Sequence, residues 1–140
     1  MGVAVTGGST SLVGFEYLGG KFYATDVFGA NDLRLGTIDP VTGAFTGLNN
    51  QAGSNNWHGL AGNESAQLLY SIDLGGDLYS MTPAGVATNI GATTPAIDGR
   101  GMAYDDTNGV LYATGGGNLY AVNTSTAAAT LLGALGISDG

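Results

Sequence analysis

The side chains that could carry out chemistry are few in this sequence. Its 140 residues include one histidine, His58, one tryptophan, Trp57, and no cysteine. No Gly-x-Ser-x-Gly motif occurs, so nothing resembles a Ser–His–Asp or Cys–His arrangement for nucleophilic catalysis. Paired carboxylates could hydrolyse glycosidic bonds, but no pair among the eleven acidic residues stands out by its spacing. We therefore expect that the protein is not an enzyme.

One oxygen-rich stretch could in principle bind a cation. It runs from Asp105 to Gly109 and reads Asp-Asp-Thr-Asn-Gly. A calcium loop of the EF-hand type also needs a glycine and a glutamate at fixed positions further along the loop. This sequence has the required residue at neither of those positions. A tight turn between strands is the favoured interpretation, and we expect neither a metal nor a cofactor.

The charge balance excludes two classes of partner. Three basic residues stand against eleven acidic ones, which gives a net charge of −8. Such a chain repels phosphate backbones and anionic lipid surfaces, so nucleic acid and membranes are not expected partners. Residues 1–8 also lack the basic and apolar regions of a signal peptide.

An internal repeat organises the sequence. Three segments share an apolar-Tyr-small pattern around Tyr23, Tyr70 and Tyr112, which are 47 and 42 residues apart. A second landmark, Leu-x-x-(Ile, Met or Val), ends at Ile38, Met81 and Val122, which are 43 and 41 residues apart. Two independent landmarks thus give a period in the low forties.

Each repeat divides into four short strands, named a to d in chain order, with turns rich in Gly, Asn, Asp and Pro between them. Apolar residues alternate or occur in short runs, without the spacing of an amphipathic helix. Four-stranded units of this period are typical of β-propeller blades, in which stacked sheets bury both faces. The sequence therefore predicts an all-β fold of about three four-stranded antiparallel propeller-type blades.

A resemblance to a known group of repeats agrees with this prediction. The segments 101–113 (GMAYDDTNGVLYA) and 118–123 (NLYAVN) resemble the blades of bacterial extracellular β-propeller repeat proteins. The resemblance covers nearly the whole chain and concerns the fold, because such propellers have unrelated functions. It implies an extracellular or secreted location.

The predicted boundaries leave one strand over. We expect a single repeat domain over 1–140, with blade 1 at 12–57, blade 2 at 58–98 and blade 3 at 99–140. Residues 2–8 resemble the fourth strand of blade 2, so 1–11 would be a spare N-terminal strand and its linker. Exposed strand edges invite pairing with another chain, and we expect Val3, Ala4, Val5 and Thr6 to contribute to assembly.

A candidate ligand-binding face follows from the blade topology. The d–a and b–c loops of a propeller lie at one end, where ligands usually bind. In this sequence those loops hold seven candidate residues: Trp57, His58, Asp98, Arg100, Asp26, Asp32 and Asp73.

Each prominent candidate has a structural alternative. Trp57 could stack on a sugar, or it could fill a gap between blades while His58 is solvated, and the packing role is favoured. Asp98 and Arg100 could contact a polar ligand, or they could form an ion pair that ties adjacent blades. The scarcity of basic residues favours the ion pair.

Two functions from different classes follow. In the first, the protein is a non-catalytic extracellular binding or scaffold module that binds glycans or proteins through its loop face. In the second, it is a structural subunit that assembles with itself head-to-tail, through strand and blade-face pairing, into a ring or a filament. The spare strand favours the filament over the ring.

Overall fold

The computed structural model of the chain describes residues 12–28, 32–52 and 57–137. These residues form twelve β-strands and no helix, which confirms the predicted fold class. The strands are β1 (Leu12–Leu18), β2 (Lys21–Phe28), β3 (Asp32–Ile38), β4 (Phe45–Ala52), β5 (Ala61–Asn63), β6 (Leu68–Ile72), β7 (Asp77–Met81), β8 (Ala87–Ala92), β9 (Met102–Asp105), β10 (Val110–Gly115), β11 (Asn118–Val122) and β12 (Ala129–Ala134).

Three antiparallel sheets contain these strands in chain order. Blade 1 comprises β1–β4, blade 2 comprises β5–β8 and blade 3 comprises β9–β12, and each strand pairs with its sequence neighbours. Tight turns make this order possible: Gly19 and Gly20 join β1 to β2 with φ angles of 56° and 81°, which favour glycine. The predicted spare strand lies outside the described residues. Nowhere in the described ranges does a helix occur that could cross a membrane.

Blade 2 is buried on both faces because successive side chains of a strand point to opposite sides of its sheet. In β6, Leu69 and Ser71 point towards blade 1, whereas Tyr70 and Ile72 point towards blade 3, and all four are buried. We call the side of a blade that points to the next blade its forward face, and the side that points to the preceding blade its backward face.

Two hydrophobic clusters hold the three blades together. Between blades 1 and 2 the forward residues Tyr23 and Leu35 pack with the backward residues Leu69 and Met81. Between blades 2 and 3 the forward residues Tyr70 and Leu78 occupy the same repeat positions, and they pack with Leu111 and Val122. Burying one such side chain contributes roughly 1.5–3 kcal/mol, so these clusters are the main source of stability.

A carboxylate clamp joins the a–b turns of neighbouring blades at the other end from the candidate loop face. The Gly19 N–H of blade 1 donates to the Glu64 carboxylate of blade 2, at 3.0 Å from Oε2 and 3.2 Å from Oε1. The Glu64 N–H of blade 2 donates to Asp106 Oδ1 of blade 3 at 2.9 Å. Gly19, Glu64 and Asp106 each follow the first strand of their blade, so one contact recurs at both blade interfaces.

Close packing of the loops that cross between blades provides a test of this arrangement. A Cβ at Gly59 would collide with the carbonyl oxygen of Gly99 and would lie 2.7 Å from Met102 Cγ. We expect Gly59→Ala to lower the free energy of unfolding by about 1–3 kcal/mol, because backbone on one side cannot move away cheaply. Urea denaturation followed by fluorescence or circular dichroism would measure the change.

The matched control is Gly133→Ala in β12. A Cβ there meets no atom within 4 Å, and its φ is not in the left-handed region. Its effect on the free energy of unfolding should be small. Equal losses in the two variants would contradict this close contact between the loops.

Candidate functional site

Trp57 lies inside the protein, between blades 1 and 2. Its side chain is 0% exposed and packs with the hydrophobic cluster of that interface. The indole ring meets the ring of Tyr79 edge-on, with centroids 5.2 Å apart and planes at 61°. The Trp57 backbone pairs with that of Asp73, and its carbonyl accepts a hydrogen bond of 3.4 Å from the Thr25 hydroxyl. This position corresponds to the packing alternative, since a buried ring offers no surface for stacking on a sugar.

A polar network lies beside Trp57. Asp73 is 2% exposed, and its Oδ1 accepts a hydrogen bond of 2.9 Å from the Asp77 N–H. The Asn89 amide donates to Asp77 Oδ2 at 3.0 Å and to the Tyr79 hydroxyl at 3.2 Å. The network therefore joins the end of β6 to β7 and β8 within blade 2.

Burial raises the pKa values of two groups in this network. It raises the pKa of the Asp73 carboxyl, with a smaller contribution from the neighbouring negative charge of Asp77. It also raises the pKa of Tyr79, to which the charges of Asp73 and Asp77 add. Asp26, at the equivalent position of blade 1, is buried as well. Two of the predicted ligand contacts thus lie below the surface.

Asp98 and Arg100 form the predicted ion pair, with Nε 2.6 Å from Oδ2. Both residues belong to the loop between β8 and β9, so this bond stays within one loop and does not itself tie two blades together. The Arg100 side chain is 67% exposed and that of Asp98 31%. Asp98 Oδ1 is buried without a hydrogen-bond partner in the described part of the chain, and a Cβ at Gly115 would lie 3.1 Å from it. This pair is the most accessible of the predicted candidates whose side chains are described.

The remaining predicted residues contribute less to a common site. His58 is half-buried next to Trp57. The side chain of Asp32 and the predicted assembly residues Val3, Ala4, Val5 and Thr6 lie outside the described residues. The described candidates therefore lie among the loops at one end of the blades, where Trp57, Asp26 and Asp73 are buried and Arg100 is exposed.

The oxygen-rich stretch of blade 3 forms the expected a–b turn. Asp105 Oδ1 accepts the N–H groups of Thr107 at 2.9 Å and Asn108 at 3.2 Å, and Oδ2 accepts the Asn108 side chain at 2.6 Å. The hydrogen bond from the Asn108 side chain is the largest of the effects that lower the pKa of Asp105. The carboxylate is thus used within the turn.

A second candidate site is the backward face of blade 1. Phe15 and Tyr17 expose 59% and 55% of their surface there. Both rings contact Phe22, with centroids 5.3 Å apart for Phe15 and 5.0 Å for Tyr17. The result is an exposed aromatic cluster on a sheet face.

The strand pairing shows that this cluster occupies interface positions. Tyr17 pairs with Phe22 in blade 1 as Tyr104 pairs with Leu111 in blade 3. Leu111 is 0% exposed because blade 2 covers it. The aromatic cluster of blade 1 therefore repeats a surface that is buried between blades elsewhere in the same molecule.

Blade 3 presents the complementary surface on its forward face. Tyr112 and Leu119 occupy the repeat positions of the buried pairs Tyr23 with Leu35 and Tyr70 with Leu78. Both are only half-buried, and with Met102 and Thr114 they line a shallow, mostly apolar cavity of about 170 Å³. Sequence reasoning predicted assembly through blade faces but did not identify these residues, although the alignment of Tyr112 with Tyr70 was the signal that could have identified them.

Solved structures resemble this fold at low sequence identity. A nidogen/laminin complex matches with a TM-score of 0.70 and 14% identity, over 91% of this chain and 49% of that one. Virginiamycin B lyase from Staphylococcus aureus matches with a TM-score of 0.68 and 17% identity, over 94% of this chain and 44% of that one. The extracellular domain of a one-component system from B. thetaiotaomicron matches with a TM-score of 0.56 and 19% identity, over 86% of this chain and 16% of that one.

These likenesses define the class of fold as β-propeller-like. The chain spans less than half the length of each of these three structures. No protein-family model matches the chain, and no curated protein matches its sequence. Since one of the similar structures is a lyase, the fold alone does not decide between an enzyme and a binding module.

The raised pKa of Asp73 predicts a component of stability that depends on pH. The folded state binds this proton more tightly than the unfolded chain, whose pKa lies near 3.8. The resulting stabilisation is complete below that value and is lost as the pH rises through the raised pKa. Asparagine does not titrate, so the Asp73→Asn variant should not lose this part of its stability as the pH rises. The free energy of unfolding of the variant relative to that of the wild type should therefore increase with pH above 3.8. Urea denaturation at a series of pH values would measure the difference.

Asp105→Asn is the control with the opposite sign. The lowered pKa of Asp105 gives stabilisation that is present above 3.8 and is lost as the pH falls. The stability of this variant relative to the wild type should therefore be lowest at neutral pH. Parallel pH profiles for the two variants would show that burial does not control Asp73.

Proposed function

We propose that the chain is a non-catalytic structural module that associates through its two outer blade faces with blades of the same pattern. The observation that carries this proposal is the cluster of the exposed Phe15 and Tyr17 with the half-buried Phe22, which stands at positions that lie between packed blades elsewhere in the molecule.

The exposure of this cluster in water is energetically unfavourable. Covering one large apolar side chain contributes roughly 1.5–3 kcal/mol, and several such side chains lie together on each outer face. Contiguous apolar surfaces of this kind mark interaction sites in soluble proteins. The internal interfaces show which surface fits: a blade face with a tyrosine and a leucine on its central strands.

The comparison with solved structures supports the same proposal. The chain spans less than half of each propeller-like structure described above. Three blades are also fewer than the roughly four to eight found in closed propellers. Additional blades would complete the fold and cover both outer faces.

The loop-face binding function is a weaker candidate. Trp57, Asp73 and Asp26 are buried, which leaves the exposed Asp98–Arg100 pair as its best contact for a glycan or an extracellular protein. An extracellular location is part of the proposal for either function, and it is supported by the likeness to an extracellular domain.

A charge placed on an outer face tests the proposed association. The 140-residue chain should sediment as an oligomer at micromolar concentration, and Phe15→Glu should shift it to the monomer, because a carboxylate buried without a partner is strongly disfavoured. Phe15 is 59% exposed, so the blade itself should stay folded, which circular dichroism would check. Analytical ultracentrifugation would measure the mass.

Val86→Glu is the matched control. Val86 is a comparably exposed apolar residue, at 62%, but it lies in the turn between β7 and β8 and not on an outer face. This variant should associate like the wild type. A wild-type chain that is folded and monomeric throughout the micromolar range would overturn the proposed function.

A further inference from the structure

The two outer faces are the two halves of one repeated interface. The forward faces of the three blades share a tyrosine and a leucine: Tyr23 with Leu35, Tyr70 with Leu78, and Tyr112 with Leu119. The backward faces share two large apolar residues on the same strands: Phe22 with Ile38, Leu69 with Met81, and Leu111 with Val122. Two forward and two backward faces already pack on each other within the chain.

From this correspondence we infer that two copies of the chain associate head-to-tail and close a six-bladed ring, an inference that rests on the proposed function. The forward face of blade 3 in one copy packs on the backward face of blade 1 in the other. Because the pattern of both surfaces matches the internal interfaces, a second copy of this chain offers the surface that fits each face.

A pair of tyrosines indicates the register of the contact. Between blades 2 and 3, Tyr70 stacks on Tyr104 with ring centroids 5.9 Å apart and planes at 23°. The equivalent residues on the outer faces are Tyr112, which aligns with Tyr70, and Tyr17, which aligns with Tyr104. Head-to-tail packing places Tyr112 of one copy on Tyr17 of the other. Back-to-back packing of two blade 1 faces would not bring Tyr112 onto Tyr17, because Tyr112 lies on blade 3.

The spare strand expected from the sequence favours a filament, but it lies outside the described residues, and the number of described blades favours the ring. A head-to-tail contact produces a closed ring when its rotation closes and a filament when it does not. Closed rings of three-bladed units contain multiples of three blades, and six is the only multiple within the range of about four to eight for propellers. Two copies related by a two-fold axis make that ring, with two identical contacts.

The outer contact lacks the polar clamp of the internal interfaces. At those interfaces Glu64 and Asp106 accept an N–H from the a–b turn of the preceding blade. Blade 1 has Gly19 at this position, so it offers no carboxylate to the Asp106 N–H of the other copy. At this end of the blades the contact between copies therefore relies on apolar packing.

Two variants that each block one face provide the test. Phe15→Glu blocks the backward face of blade 1, and Leu119→Glu blocks the forward face of blade 3. Each variant alone lacks one half of every head-to-tail contact and should be monomeric. Mixed in equal amounts, they retain one intact contact and should form a one-to-one heterodimer, weaker than the wild-type dimer, which analytical ultracentrifugation with one labelled partner would detect.

Cysteine crosslinking supplies a second measurement, because the chain contains no cysteine of its own. Tyr17→Cys and Tyr112→Cys variants, mixed and treated with a short bis-maleimide, should crosslink to each other. Neither should crosslink to itself. Val86→Cys, which lies in a turn away from both faces, serves as the control.

The outcomes separate this inference from the proposed function. A wild-type mass of twice the 13.9 kDa of one chain, together with the heterodimer, supports the ring. Association that Leu119→Glu leaves intact and Phe15→Glu abolishes shows back-to-back packing of two blade 1 faces, which overturns both the inference and the proposed function, because the forward face of blade 3 is then unused. Wild-type assemblies larger than two copies that either variant disrupts overturn the ring and keep the proposed function. A monomeric wild type overturns both.

Discussion

Packing of one β-sheet face on the next is the interaction on which this structure depends. The chain has no helix among its described residues, so only another sheet can cover the apolar side chains of each blade. Blade 2 satisfies this requirement on both sides, with Leu69 and Met81 buried against blade 1 and Tyr70 and Leu78 against blade 3. The two outer blades satisfy it on one side. The same physical requirement that stabilises the inside of the molecule thus leaves Phe15 and Tyr17 exposed at one end.

Polar groups fix the register of this packing at both ends of the blades. The clamp of Glu64 and Asp106 joins successive a–b turns through hydrogen bonds to backbone N–H groups. At the opposite end, Asp73 anchors the b–c turn of blade 2 beside Trp57. The buried Trp57 ring packs between blades 1 and 2, and the buried Asp73 carboxylate holds a turn within blade 2, so neither offers a surface to a ligand at the loop end.

The distribution of exposed apolar and polar surface therefore separates two possible functions. A binding module of the usual propeller type would use its loop end, where the Asp98–Arg100 pair is the main accessible feature. A structural module would use the blade faces, where aromatic and aliphatic side chains repeat an interface that the chain already forms twice. The second arrangement has the larger apolar driving force, because burial of nonpolar surface is the dominant favourable contribution to association.

The sequence by itself determined the repeat and the class of fold. The spacing of Tyr23, Tyr70 and Tyr112 predicted four-stranded blades, because short apolar strand patterns separated by turn-forming residues recurred in each repeat. The forward direction of these tyrosines was not predictable in the same way, since alternation along a strand does not reveal which neighbouring sheet lies on which side. Their partners became identifiable only when the packing between blades showed that Tyr70 and Ile72 face blade 3.

The role of Trp57 required the tertiary structure. Its type and its position in a d–a loop were compatible with either a sugar platform or a packing role, and the two differ only in what surrounds the ring. Blade 1 and blade 2 enclose it from both sides, which removes its surface from solvent. The match between the two outer faces likewise became visible only through the internal interfaces. These join residues more than forty positions apart, such as Tyr70 and Leu111, and such contacts cannot be predicted from local sequence.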